Sequence, residues 1–355
     1  MIANLSNRLI EKYEITIVSI IKSNYEYELN NKINRISLDV KDFSKISRIK
    51  KKLLKLSIVR EMKLKKVILK EKPDIIISFL PEPSFRILFL KKTNKEIKKI
   101  PVIVSERGDP SVIFKNNIIR YIMKYLYTSI DGFIYQTEEA KAYFSDIIDV
   151  PSKIIANPIN SNFIVKEPSK KRNKTIVAVG RLNEQKNNKL LIDSFEKVCK
   201  YRTDYKLLFY GTGPLQTKLK KYIKELDLTE KIFFMGKSNC IEKDIYNAGI
   251  FVLSSNYEGM PNALMEAMAL GLPCISTDCP VGGPKTLIKN GENGLLVPVG
   301  DEEALSIAIL KLIEDNELSQ KIANNALKIS EKFNPNIINQ QWEDFINKII
   351  NLKNN

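Results

Sequence analysis

Short apolar runs recur along this chain with helical patterns between them, and that rhythm leaves few folds open. In the first part they fall at residues 15–20 (ITIVSI), 74–80 (DIIISFL), 102–105, 132–135 and 153–156. In the second they fall at 175–179, 205–210, 232–235, 250–253, 273–276 and 295–297. Runs this short and this apolar suit strands buried on both faces, as in a parallel sheet covered by helices. A polar, basic stretch at 166–174 (KEPSKKRNK) separates the two series as a linker would. At 355 residues the chain also exceeds one ordinary core. The expected fold class is α/β, with two doubly wound Rossmann-like domains facing a cleft. Their expected bounds are 1–163 and 175–332, joined by a linker at 164–174. A C-terminal helix at 333–355 is expected to pack back on the first domain.

The beginning of the chain departs from that plan. A doubly wound domain normally opens with a strand and a turn, but MIANLSNRLIEKY places Ile2, Leu5, Leu9 and Ile10 at helical spacing. The expectation is a first domain that is N-terminally incomplete, lacking its first strand and the turn after it. A start site further upstream and a degraded copy are the two explanations.

Composition narrows the chemistry. There are no histidines, so histidine bases, triads and metal sites are excluded. The four cysteines (Cys199, Cys240, Cys274, Cys279) form no C-x-x-C pair, which fits a reducing compartment. No secretory leader pattern is visible, and no apolar run approaches the roughly 18 to 20 residues of a spanning helix. The net charge of +16 is uneven: residues 1–163 carry 30 basic and 18 acidic side chains, and the rest carry 27 and 23. Residues 45–72 alone hold 12 basic and 2 acidic residues. That segment reads either as a solvated helix or as a surface resting on anionic lipid. Nucleic acid is not expected as a partner, because no recognisable nucleic-acid module is present.

In the second series, glycines and cations gather at the strand ends. Gly180, Arg181 and Lys186 follow 175–179; Gly211 and Gly213 follow 205–210; Gly236 and Lys237 follow 232–235. Arg181 and Lys186 suit a diphosphate. Gly211 and Gly213 would let the backbone approach a flat or charged ligand. After 250–253 comes NYEGMPNALMEAMALGLP, in which Glu266 is the only charged residue between Gly259 and Ile275. Pro261 suits the first turn of a helix, whose free N–H groups from Gly259 through Met260, Asn262, Ala263 and Leu264 would face the cleft as an anion site. A carboxylate in so apolar a helix needs partners. The vicinal hydroxyls of a ribose would supply them for Glu266, with Glu258 reaching the other end of the same ligand. The alternative is a glutamate held by protein amides or a lysine.

These segments resemble the retaining, GT-B-fold glycosyltransferases of family 4. The resemblance is carried by Glu258-x7-Glu266 within EGMPNALMEAMALGLPCISTDCP, by VGRLNEQKN, YGTGPL and NGENGLLVPVGDEEAL, and more loosely by SFLPEPS, VIVSERGDP, FIYQTEEAKAYF and IIANPIN. It implies a hexosyl- or N-acetylhexosaminyltransferase that takes a nucleotide-sugar, preferentially a UDP-sugar, as substrate. It also implies retention of anomeric configuration, no cofactor and no required metal; no D-x-D motif occurs. Arg181 and Lys186 would neutralise the diphosphate, Glu258 would contact the donor sugar, Glu266 the ribose, and Gly236 and Lys237 would lie near the base. Where many members carry a histidine, this chain has Ser105-Glu106-Arg107, so Glu106, Arg107 and Asp109 become acceptor-side candidates. The acceptor would be a glycan or a lipid-linked saccharide, in lipopolysaccharide or capsule synthesis at the cytoplasmic face of the plasma membrane. Two rival readings are a nucleotide-sugar-binding but catalytically impaired homologue and a GT-B-fold epimerase.

Overall fold

A computed structural model describes residues 2–20, 28–38 and 50–354, with side chains placed except at 50–58 and 354. Among the described residues there are twelve short strands. They are β1 (Thr16–Ser19), β2 (Asn34–Ser37), β3 (Ile76–Phe79), β4 (Val102–Ser105), β5 (Gly132–Tyr135), β6 (Ser152–Ile154), β7 (Thr175–Val179), β8 (Lys206–Tyr210), β9 (Ile232–Gly236), β10 (Ile250–Leu253), β11 (Cys274–Thr277) and β12 (Leu295–Val297). Strands β7 to β12 form one parallel sheet in the order β12-β11-β10-β7-β8-β9. The order reverses beside β7, so the loops after β7 and β10 open into the crevice where a doubly wound sheet binds its ligand.

The first half does not form a single sheet. Strands β3 to β6 pair in sequence as a parallel four-stranded sheet, whereas β1 and β2 pair only with each other. The expected single sheet is corrected on that point: among the described residues no strand hydrogen-bonds both β1 and β3. The opening residues are helical, as their spacing predicts, over Ile2–Leu9, and they bury Leu5 and Leu9. The basic segment 45–72 lies partly outside the described residues; from Lys50 to Glu71 it is one helix.

One apolar core runs beneath both halves. Ile103 and Ile134 of the first sheet share it with Phe251, Leu264 and Met268 of the second half, and with Trp342 of the last helix. That helix, Pro335–Asn354, lies on the first half. Trp342 is fully buried with its ring 5.6 Å from that of Phe79. Ile349 fills the space that a side chain at Gly132 would need. Polar contacts clamp the same face: Lys12 to Glu343 at 2.6 Å, Tyr13 to Asn347 at 2.9 Å, and Lys353 to Asp131 at 3.2 Å. The exposed pairs add little, so apolar burial holds the helix. Trp342→Ala is expected to cost about 3–5 kcal/mol in urea unfolding followed by circular dichroism.

Candidate active site

The loops after β7, β8 and β9 are locked to one another through their glycines. Gly180 N–H donates to the Tyr210 carbonyl, and Gly211 N–H to the Gly236 carbonyl at 2.7 Å. A Cβ at Gly211 would lie 2.0 Å from the Gly180 carbonyl oxygen, and one at Gly213 would lie 2.2 Å from that of Leu182. These glycines are required by loop-on-loop packing, whatever ligand lies above them. Gly236 has φ +74 and open space around it, so its glycine serves the backbone turn. Lys237 follows it on the surface, and Arg181 is exposed with no ion-pair partner among the described residues.

Lys186 ends a short 3-10 turn, Glu184–Lys186, capped by the Asn183 side chain. Its ammonium lies 2.5 Å from Glu258 Oε1. Glu258 is 6% exposed and also accepts from the Ser255 hydroxyl at 2.7 Å. Its backbone is held on both sides, donating to the Pro280 carbonyl and accepting from Val281 N–H. Residues expected on the diphosphate and on the donor sugar are thus brought together as one ion pair. The loops carrying them are stitched by Ser254 Oγ to the Lys186 carbonyl and by Asn256 N–H to the Gln185 carbonyl.

The helix Asn262–Ala269 starts directly after this loop, with Pro261 in the capping position and no side chain bonded to its first N–H groups. Leu264 and Met260 are buried beneath it, while Asn262 is exposed. Glu266 is half-buried on the same helix and has no hydrogen-bond partner among the described residues. Burial pushes its carboxyl up to about 7. An acid raised in this way loses stability as pH climbs from its ordinary value through 7, because ionisation is resisted only in the folded state.

The first half meets this helix through its own loops. A Cβ at Gly259 would lie 2.3 Å from the Arg107 carbonyl oxygen and 2.7 Å from Gln136 Oε1. Gln136 Oε1 accepts from Met260 N–H at 3.3 Å. Asn157 donates to Asn262 Oδ1 at 2.7 Å and accepts from Arg107 Nη1 at 3.1 Å. Gln136 and Asn157 were missed as site residues; their only sequence signal is that they sit within FIYQTEE and IIANPIN. Arg107 lies over the rings of Phe79 and Trp342, its guanidinium carbon 5.4 Å from each centroid, with Nε and Nη2 enclosed and without partners among the described residues. Burial lowers its guanidinium to about 9. It forms no ion pair with a carboxylate within 4 Å among the described residues, so simple pairing does not explain it. Glu106 is buried, accepts a hydrogen bond from the Tyr127 hydroxyl, and is raised by burial to about 7. Asp109 caps the turn Pro110–Ile113 by accepting from Ser111 N–H at 2.8 Å and Ser111 Oγ at 2.6 Å. One oxygen of that carboxylate, Oδ1, is thereby used in the turn.

Two outcomes follow from this geometry. Lys186→Met, which strands a buried carboxylate, is expected to cost about 2–4 kcal/mol, and the double variant with Glu258→Gln should regain most of it in urea unfolding. Glu266→Gln should stabilise the unliganded protein at pH 8 by on the order of 1–3 kcal/mol, with the gain vanishing near pH 4.5.

Comparison with known proteins fits this arrangement. Residues 160–329 match the family model described as glycosyl transferases group 1. An uncharacterized glycosyltransferase of Methanocaldococcus jannaschii is 28% identical over 333 residues, spanning 80% of this chain and 82% of that one. In Campylobacter jejuni, the GalNAc-alpha-(1->4)-GalNAc-alpha-(1->3)-diNAcBac-PP-undecaprenol alpha-1,4-N-acetyl-D-galactosaminyltransferase is 26% identical over 357 residues, spanning 99% and 94%. The crystal structure of Anabaena HepE in complex with UDP and glucose matches with a TM-score of 0.79 at 17% identity, spanning 98% and 94%. Residues 160–329 thus resemble the glycosyl transferases of group 1, and the chain along its whole length has the GT-B fold.

Proposed function

We propose that this enzyme transfers a sugar from a UDP-sugar, with retention of configuration, to a hydroxyl of a lipid-linked or polysaccharide acceptor in cell-surface glycan synthesis. The observation that carries the donor assignment is Glu266: a half-buried carboxylate without a partner among the described residues, on a helix whose uncapped start adjoins the Glu258–Lys186 pair. A ribose diol would donate two hydrogen bonds to it and relieve the cost of its burial. Arg181 and the remaining donors of Lys186 would then neutralise the diphosphate, with the backbone N–H groups at the helix start assisting.

In the reaction the bond from the anomeric carbon to the phosphate oxygen breaks, and one to the acceptor hydroxyl oxygen forms on the same face. The acceptor proton passes to the departing phosphate. No protein base is needed in that scheme; the protein's task is to stabilise charge on the leaving diphosphate. Glu258, fixed by Lys186 and Ser255, would orient the donor sugar through its remaining acceptor capacity. Glu106 and Arg107, on the opposite wall, would meet the acceptor.

The acceptor class is supported by the Campylobacter jejuni relative, whose name specifies an undecaprenol-diphosphate-linked saccharide. UDP is supported by the ligand of the Anabaena structure. Such an acceptor brings the enzyme to the cytoplasmic face of the membrane, in peripheral contact with anionic lipid.

A thermal-shift series with UDP, GDP and ADP should raise the melting temperature with UDP above all. Calorimetry of UDP binding near pH 7 should show proton release, because the diol favours the ionised form of a carboxyl that is partly protonated when free. Affinity should fall as pH drops below 7, and both effects should vanish in Glu266→Gln. No shift with any nucleotide would overturn the donor assignment.

A further inference from the structure

The helix Asn117–Tyr127 has two apolar faces, and only one of them is used. Its inner face buries Met123, Leu126 and Tyr127 in the core of the first half. Its outer face carries Ile118, Tyr121, Ile122 and Tyr125, at i, i+3, i+4 and i+7, and these side chains are 71%, 74%, 42% and 60% exposed. A helix in a water-soluble protein normally turns charge outward opposite its buried stripe. Here the outward stripe is as apolar as the inward one. It is flanked by Lys115, Arg120 and Lys124, all exposed and none ion-paired among the described residues. No acidic residue occurs between positions 110 and 130.

We infer that this face lies in the plane of an anionic lipid bilayer and docks the first half of the enzyme on it. Apolar and tyrosine side chains interleaved with cations match the acyl–headgroup boundary, where rings and stems are buried and charges stay with phosphates. Contact is in the plane, because among the described residues no helix is long and apolar enough to cross a membrane. A second copy of the chain is a poorer occupant. A two-fold dimer would press the patch against itself and set unpaired cations against cations. The helix is also tied to the cleft, since Tyr127 in its last turn donates to Glu106. A bilayer on the outer face therefore lies one helix away from the wall assigned to the acceptor.

This inference deepens the membrane-contact part of the proposed function and is independent of the donor assignment. It differs from the basic segment 45–72 in placing the contact on an apolar stripe. The test is flotation with phosphatidylcholine vesicles with and without phosphatidylglycerol, on the full chain. Wild-type protein should float with the anionic vesicles. Ile118→Ser/Tyr121→Ser/Tyr125→Ser should reduce the bound fraction by about tenfold or more, with its melting temperature and its UDP shift unchanged. Lys115→Gln/Arg120→Gln/Lys124→Gln should abolish the preference for phosphatidylglycerol. If the apolar triple variant floats like wild type, the docking face lies elsewhere and the inference is overturned. It is equally overturned if wild-type protein ignores vesicles and the same variant converts a dimer to a monomer on gel filtration. Intact flotation without a UDP shift would leave this inference standing and remove the donor assignment alone.

Discussion

Three backbone segments meet where side chains have been dispensed with, and the geometry of the cleft depends on that meeting. A Cβ at Gly283 would fall 1.7 Å from the Gly259 carbonyl oxygen, and one at Gly259 would fall 2.3 Å from the carbonyl oxygen of Arg107. The two halves therefore touch at backbone distance just where the helix Asn262–Ala269 begins. Any larger residue would separate them, and the bonds from Gln136 and Asn157 to Met260 and Asn262 would stretch or break. The shared apolar core below, with Trp342 at its edge, keeps the halves together while this contact sets their orientation.

Charge is handled differently on the two sides of that contact. Glu258 is buried but paired, through Oε1 with Lys186 and Ser255, and its backbone is bonded on both sides. Glu266, Arg107 and Glu106 each retain polar atoms with no partner among the described residues. Folding is resisted by such groups, because water is removed and no equivalent bond is made. They persist in functional clefts because a ligand completes them.

Much of the fold was legible because it is written in local pattern. Short apolar runs such as TIVAV and IFVL became parallel strands, and the glycine-bearing loops after them came out at one edge of the sheet. The separation of β1 and β2 from β3 was not legible, since pairing between strands depends on which edges meet and not on the composition of either. Asp109 illustrates the same limit on a smaller scale. Its charge suggested chemistry, but a serine two residues on takes up the carboxylate in a turn.

By itself the sequence determined the α/β class, the catalytic options left by a chain without histidine, and the identity of Glu266 as a residue out of place in its surroundings. These follow from residue type and spacing, which act over a few residues. Only the tertiary structure decided that Lys186 belongs to Glu258, that Glu266 has no hydrogen-bond partner among the described residues, that Gln136 and Asn157 bond across the cleft, and that Ile118, Tyr121, Ile122 and Tyr125 face outward. Each of these depends on segments tens to more than a hundred residues apart arriving at the same place, or on one helix face being covered and the other not. Periodicity can mark a helix face as apolar; packing alone decides which face is buried.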